Sequence, residues 1–151
     1  MKIVVDDLSD PRIAEFLEEH LEEMRSITPL ESKHALDLDA LRAPDVTFWS
    51  VWDGDTLVGC GAIKALDGAH AELKSMRTRS THKRTGVATR LMEHAVAEAR
   101  RMGFTRMSLE TGSADHFEPA RRLYEKFQFG YCEPFADYTL DPHSVFMTRT
   151  L

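Results

Sequence analysis

The sequence predicts an α/β sandwich, a mixed sheet covered by helices. Three observations point there. Segments of strand and helix character follow one another in the order β-α-α-β-β-β-α-β-α-β-β, the pattern of a layered mixed fold. Residues 11–25 and 86–101 each carry a single apolar stripe at helical spacing. Several short runs rich in β-branched and aromatic residues end at turn residues such as Asp53-Gly54-Asp55.

Lys2–Val5 reads as a short strand. Asp10 is placed as an N-cap with Pro11 at the first helical position, where its missing N–H costs nothing. Ile13, Phe16, Leu17, His20, Leu21 and Met24 then line one face of a helix. Residues 26–44, bounded by Pro29 and Pro44, read as a loop with a short helix. Val46–Trp52 and Thr56–Lys64 flank Asp53-Gly54-Asp55 as a hairpin, and Ala71–Thr78 is a third long strand. From Gly86 a helix runs to Arg101. Its stripe is Val87, Leu91, Met92, Ala95, Val96, Ala99 and Met102, and Gly103 suits its C-terminal end. Phe104–Thr111 is a strand. Asp115 and Glu118 suggest a capping box for a helix bearing Phe117, Ala120, Leu123, Tyr124 and Phe127. Glu118 and Arg122, and Arg121 and Glu125, lie four apart on its other face. Tyr131–Phe135 and Val145–Leu151 close the chain as strands.

At 151 residues the chain fits one domain, residues 1–151, which buries roughly 70% of the surface its unfolded form exposes. Its 42% hydrophobic and 29% charged residues are those of an ordinary globular protein. No apolar run reaches the roughly 18 residues of a membrane span. The N-terminus turns acidic within its first residues and lacks a signal peptide's apolar region. A cytoplasmic protein is therefore expected, and Cys60 and Cys132 make no disulfide framework. The net charge of −6 is uneven. Residues 1–70 hold 6 basic and 15 acidic side chains (−9), residues 71–106 hold 9 and 3 (+6), and residues 107–151 hold 4 and 7 (−3). The basic middle suits an anionic ligand, although clustered solvated charges would look the same. The acidic total argues against a nucleic-acid binder.

The chemistry concentrates in that basic middle. A strand, Glu72-Leu-Lys-Ser-Met-Arg-Thr78, leads through a polar turn into Lys83-Arg84-Thr85-Gly86-Val87-Ala88-Thr89, where a helix begins. The first amides of a helix have no internal acceptor, and the helix dipole adds positive potential. Gly86 and Ala88 let an anion approach the backbone, and Lys83 and Arg84 add charge, so a phosphate or pyrophosphate site is predicted. A glycine that merely permits a tight turn is the competing reading.

Lys83-Arg84-Thr85-Gly86-Val87-Ala88 resembles motif A of the GNAT acyltransferases. Pro119-Ala-Arg-Arg-Leu-Tyr124-Glu-Lys-Phe-Gln-Phe129 resembles their motif B, about 35 residues on with a strand between. The order of elements agrees over almost the whole chain, and small bacterial members share the Glu-Leu-Lys-Ser-Met-Arg strand. Three departures stand out: Lys83 replaces the usual Gln or Arg, Phe117 a cofactor-binding Asn, and Gln128 the Gly before Phe129. The resemblance implies a mostly antiparallel central sheet with helices on both faces and strands splayed at a CoA site.

It also implies acetyl-CoA as cosubstrate. Its pyrophosphate would lie on the amides of Arg84, Thr85, Gly86, Val87, Ala88 and Thr89, beside Lys83. Its pantetheine arm would pair with the backbone of Met76, Arg77 and Thr78, and the Met76 amide would polarise the thioester. Tyr124 would protonate the departing thiolate, though its spacing equally suits a packed aromatic. An alkylamine is deprotonated in only about 0.04% of molecules at pH 7, so a base helps. Glu72, fourteen residues before Gly86, matches the catalytic glutamate of the family's histone-acetylating branch. Glu110 is the second candidate, acting through water. A strand glutamate is otherwise a solvated or paired side chain. His34 is a candidate for binding a small polar acceptor.

His20, His34, His70, His82, His94, His116 and His143 show no ligand spacing, so no metal is expected. No Ser or Cys shows a nucleophile motif, which favours direct transfer in a ternary complex. The expected reaction is acetyl transfer to a small amine or amino-acid-like molecule, which the N-terminal acidic excess favours over an anionic acceptor. A protein lysine or N-terminal amine as acceptor, a non-catalytic acyl-CoA sensor and an interaction module remain rival readings. Dimers are common in the family, so a homodimer is one expected assembly.

Overall fold

The computed structural model describes residues 1–27 and 38–151. Its elements are β1 (Lys2–Val5), α1 (Pro11–Ile27), α2 (Leu38–Leu41), β2 (Val46–Asp53), β3 (Thr56–Ala65), β4 (His70–Thr78), α3 (Val87–Arg101), β5 (Arg106–Gly112), α4 (Glu118–Lys126), β6 (Gly130–Cys132) and β7 (Ser144–Thr150). The order is the one the sequence implies. The strands form one seven-stranded sheet in the order β1-β2-β3-β4-β5-β7-β6. Every pairing is antiparallel except that of β4 with β5. No helix among the described residues is long and apolar enough to cross a membrane.

Helices cover both faces because alternate strand residues bury on opposite sides. On one side Val87, Leu91, Met92, Ala95 and Ala99 of α3 pack with Tyr124 of α4 against Trp49, Ile63, Leu73, Leu109 and Met147. On the other, Ile13, Phe16 and Leu17 of α1 and Leu41 of α2 pack against Phe48, Cys60 and Ala62. Burial pushes the Cys60 thiol up to about 12, so it behaves as a small hydrophobe rather than a nucleophile.

The helix ends show which local signals prevail. The Arg12 amide donates to Asp10 Oδ1 at 2.9 Å, which makes Asp10 the expected cap of α1. After α3, the Gly103 amide donates to Arg100 O and the Phe104 amide to Ala99 O, each at 3.0 Å. With Gly103 at φ 95 this is a Schellman ending. The capping box expected at Asp115 does not form. A 3₁₀ turn, Asp115–Phe117, precedes α4, no side chain caps either element, and Glu118 pairs with Arg122 at 2.6 Å. Arg121 donates to the carbonyls of Gly112 and Ala114 at 2.7 and 2.9 Å instead of pairing with Glu125. Glu125 accepts from the Tyr131 hydroxyl at 2.7 Å.

Two strands are shorter than periodicity suggests. β5 starts at Arg106, because Phe104 belongs to the helix ending and the Thr105 amide is held by Ala69 O at 2.8 Å. β6 stops at Cys132, ahead of Pro134, which has no N–H for a ladder. Phe135 then leaves the sheet and packs edge-on to Tyr138 and Phe146, with centroids 5.1 and 6.0 Å away.

Candidate functional site

The parallel ladder between β4 and β5 runs from His70↔Arg106 to Leu73↔Leu109 and ends there. Beyond it β4 continues to Thr78 and β5 to Gly112 without pairing to each other. The result is a cleft in the sheet, walled on its β4 side by Lys74–Thr78, whose edge polar groups have no strand partner there. Met76, Arg77 and Thr78 lie on this wall, half-buried.

After β4, a 3₁₀ turn (Ser80–His82) leads to Lys83, Arg84, Thr85 and Gly86, all exposed. Arg84 and Gly86 have left-handed backbones, at φ 66 and 88. Thr85 Oγ1 donates to His82 O, which holds the turn. Gly86 is the N-cap of α3 and no side chain caps the helix. The first helical bond runs from the Arg90 amide to Gly86 O at 3.0 Å, so the amides of Val87, Ala88 and Thr89 have no acceptor within the helix. The Val87 side chain is buried in the core against β3, leaving only its amide for a ligand. A Cβ at Gly86 would meet nothing within 4 Å. An uncapped, glycine-started, fifteen-residue helix beside exposed Lys83 and Arg84 has the chemistry of an anion cradle.

Two predicted catalytic side chains, Glu72 and Glu110, share one face of the sheet at the cleft, and the third, Tyr124, packs in the α3 layer on the other face, within electrostatic reach of Glu110. Glu72 is only 4% exposed and accepts a 2.6 Å hydrogen bond from the Tyr138 hydroxyl. Its register partner on β5 is Ser108, so Glu110, two residues on, shares the Glu72 face. Glu110 accepts from Ser144 Oγ at 2.7 Å. Burial, the hydrogen bond to Glu72 and the charges of Glu72 and Glu110 all push the Tyr138 phenol up. Tyr124, on α4, is buried in the α3 layer. Burial, and then the charge of Glu110, push its phenol up to about 12. It is therefore a neutral O–H donor across the physiological range. His34 lies outside the described residues.

The departures from the expected motifs have structural counterparts. Gln128 sits at φ 70, the left-handed conformation that glycine adopts without strain. The Phe117 ring fills the space over Gly112, where a Cβ would come within 2.1 Å of it. Neither alters the cradle.

Sequence reasoning named Arg77 only for its backbone and missed Tyr138, Ser144 and His116. Arg77 projects onto the α1 face, its guanidinium 4.8 Å from the centre of the Phe16 ring. It faces Glu19 and Glu23 at 3.7 and 3.6 Å, and His116 is 3.4 Å from Glu23. Burial first, then the Arg77 charge, hold His20 down to about 4. The unfolded chain protonates this histidine near 6.5, the fold only near 4. Stability is therefore fully present above about 6.5 and declines as pH falls towards 4, by up to about 3 kcal/mol. Urea unfolding of the wild type should lose about 2 kcal/mol between pH 6.5 and 4.5, above the range of the lowered carboxylates. His20→Gln should be flatter over the same interval; equal slopes would remove His20 as the cause. No group of three or more residues able to hold a metal occurs among those described.

Residues 8–131 match the model of the acetyltransferase (GNAT) family. The chain is 55% identical over 151 residues to "Uncharacterized N-acetyltransferase YsnE" of Bacillus subtilis, covering 100% of both. It is 48% identical over 149 residues to "Uncharacterized N-acetyltransferase YedL" of Escherichia coli, covering 99% of this chain and 94% of that one. Among solved structures, an aminoglycoside 6'-N-acetyltransferase complexed with coenzyme A matches with a TM-score of 0.71 at 20% identity, covering 99% of this chain and 97% of that one. That last likeness bears on the fold. The family match and the full-length N-acetyltransferase relatives establish the rest: the chain belongs to the GNAT family and is an acetyltransferase.

Proposed function

We propose that this protein moves an acetyl group from acetyl-CoA to the amine of a small molecule, by direct transfer in a ternary complex. The observation that carries this reading is the β4–β5 cleft, which opens beyond Leu73↔Leu109 and leads to the uncapped start of α3. A linear cosubstrate with an amide-bearing arm and a pyrophosphate needs both a free strand edge and an anion cradle. The likeness to a fold solved with coenzyme A supports the same ligand.

The residues present fit it. The amides from Arg84 to Thr89, beside Lys83, receive the pyrophosphate, that of Thr85 on giving up its 3.4 Å hydrogen bond to His82 O, and the edge of Met76, Arg77 and Thr78 receives the pantetheine arm. The Met76 amide donates to the thioester oxygen as charge develops there. Glu72 takes the amine proton, held in place by Tyr138, and Glu110 is the alternative base, acting through water. Tyr124, protonated up to about 12, donates to the departing thiolate. The whole chain acts as one domain in the cytoplasm, with a homodimer as the assembly to test. His34 remains a candidate acceptor contact.

The test is release of free thiol from acetyl-CoA with a panel of amino acids, polyamines, aminoglycosides and a basic peptide. Turnover with a small amine is expected, and Glu72→Gln should lower kcat about 100-fold or more, Glu110→Gln less. Acetyl-CoA binding without turnover of any amine would make the protein a sensor. Turnover of the peptide alone would make it a protein acetyltransferase.

A further inference from the structure

β4 carries one more residue than its partner between the pairs Cys60↔Arg77 and Ala62↔Lys74, so Ser75 and Met76 oppose Gly61. Ser75 lies at φ 58 within this bulge. In a regular strand Arg77 would share the face of Leu73, four residues before it. The inserted residue reverses that. Leu73 packs in the α3 layer, whereas Arg77 stacks on Phe16 of α1. Arg77 thus falls on the same face as Glu72, with the bulge between them.

The guanidinium in this position has unspent capacity. The Arg77 side chain is 12% exposed, and its Nε and Nη1 are buried without a hydrogen-bond partner. Glu23 Oε2 stands 3.6 Å from Nη1 and Glu19 Oε2 3.7 Å from Nη2, beyond hydrogen-bond reach. Both glutamates have other neighbours, the His116 ring at 3.4 Å from Glu23 and the Arg79 guanidinium at 3.9 Å from Glu19. An arginine cannot shed its charge to relieve this situation. Its planar fork matches a carboxylate with two parallel hydrogen bonds. The two nearby glutamates disfavour a dianion such as phosphate and leave a monoanion as the suitable guest.

We propose that Arg77 binds the carboxylate of the acceptor, and that the acceptor is a small dipolar amino acid rather than a simple amine. This rests on the reading of Met76 as the transfer point. Met76 and Arg77 are neighbours in the chain, so amine and carboxylate are separated by about one side-chain length, as in α- or β-amino acids. Glu72 draws the ammonium end from one flank of the bulge while Arg77 holds the carboxylate on the other. As the carboxylate docks, Glu23 turns from Arg77 towards His116.

The experiment compares free amino acids with their methyl esters, for the twenty protein amino acids and β-alanine. It reads thiol release and, separately, calorimetric binding in the presence of CoA. The wild type should prefer the best acid over its ester by at least about 100-fold in kcat/KM. In Arg77→Gln that ratio should collapse to within about threefold of one, whatever happens to the absolute rates, and Arg77→Lys should restore part of it. An equal response of the wild type to acid and ester, or a ratio unchanged in Arg77→Gln, overturns the proposal. Should Arg77→Gln fail to fold, the wild-type ratio decides alone. Should no acceptor be turned over, the acetyl-transfer reading fails, and calorimetric preference for acid over ester still decides the carboxylate site.

Discussion

Gly86→Glu should raise the Kd for acetyl-CoA at least about 100-fold, since a like charge placed against a bound anion costs several kcal/mol. The site leaves room for the side chain, with nothing within 4 Å of a Cβ at 86, so the loss does not come from a steric collapse of the fold. A separate effect must be subtracted. Gly86 lies at φ 88, and any L-residue there pays about 1–2 kcal/mol of backbone strain. Gly86→Ala carries the strain without the charge and should bind within about tenfold of wild type. Calorimetric titration of acetyl-CoA, with thermal melts of all three proteins, separates the terms. Wild-type affinity in Gly86→Glu would remove the pyrophosphate from the start of α3.

Tyr124→Phe should lower kcat by about 10²- to 10⁴-fold, the usual contribution of a placed proton donor, with acetyl-CoA affinity within about threefold of wild type. Phenylalanine preserves the buried ring and its edge contact with Phe129, 6.0 Å between centroids, and deletes only the hydroxyl. Because burial pushes the phenol up to about 12, the donor stays protonated as pH rises through 7 to 10. An alkaline fall in wild-type kcat within that interval therefore has another origin. Steady-state rates of the two proteins from pH 6 to 10, beside equilibrium binding of acetyl-CoA, check both statements. Equal kcat values would return Tyr124 to a packing role in the α3 layer.

The element order, the stripe of α1 and that of α3 as far as Ala99, the Asp10 cap and the Gly103 ending were legible in the sequence, whereas Met102, counted in the α3 stripe, lies beyond the helix and is exposed. Each depends on residues within about a turn of one another. The uncapped, glycine-started first turn of α3 was legible for the same reason, since it is a local property of residues 83–89. Where local signals competed, the sequence misled. Asp115 and Glu118 have capping-box spacing, yet a 3₁₀ turn and the Arg121 hydrogen bonds to Gly112 and Ala114 organise that corner instead. Tyr131–Phe135 has strand composition, yet Pro134 and the aromatic cluster of Phe135, Tyr138 and Phe146 draw the chain off the sheet.

By itself, then, the sequence determined the order of helices and strands, and where a helix starts with unpaired amides beside basic residues. It also placed Glu72, Gly86 and Tyr124 within recognisable motifs. Tertiary structure alone decided what those residues face. Tyr138 reaches Glu72 across 66 positions of chain. The cleft exists because the β4–β5 ladder stops at Leu73↔Leu109. Arg77 faces α1 because one inserted residue in β4 reverses the alternation beyond Lys74. The physical reason is common to all three. Pairing register between distant strands sets which side of the sheet a residue occupies, and a shift of one residue exchanges the two sides.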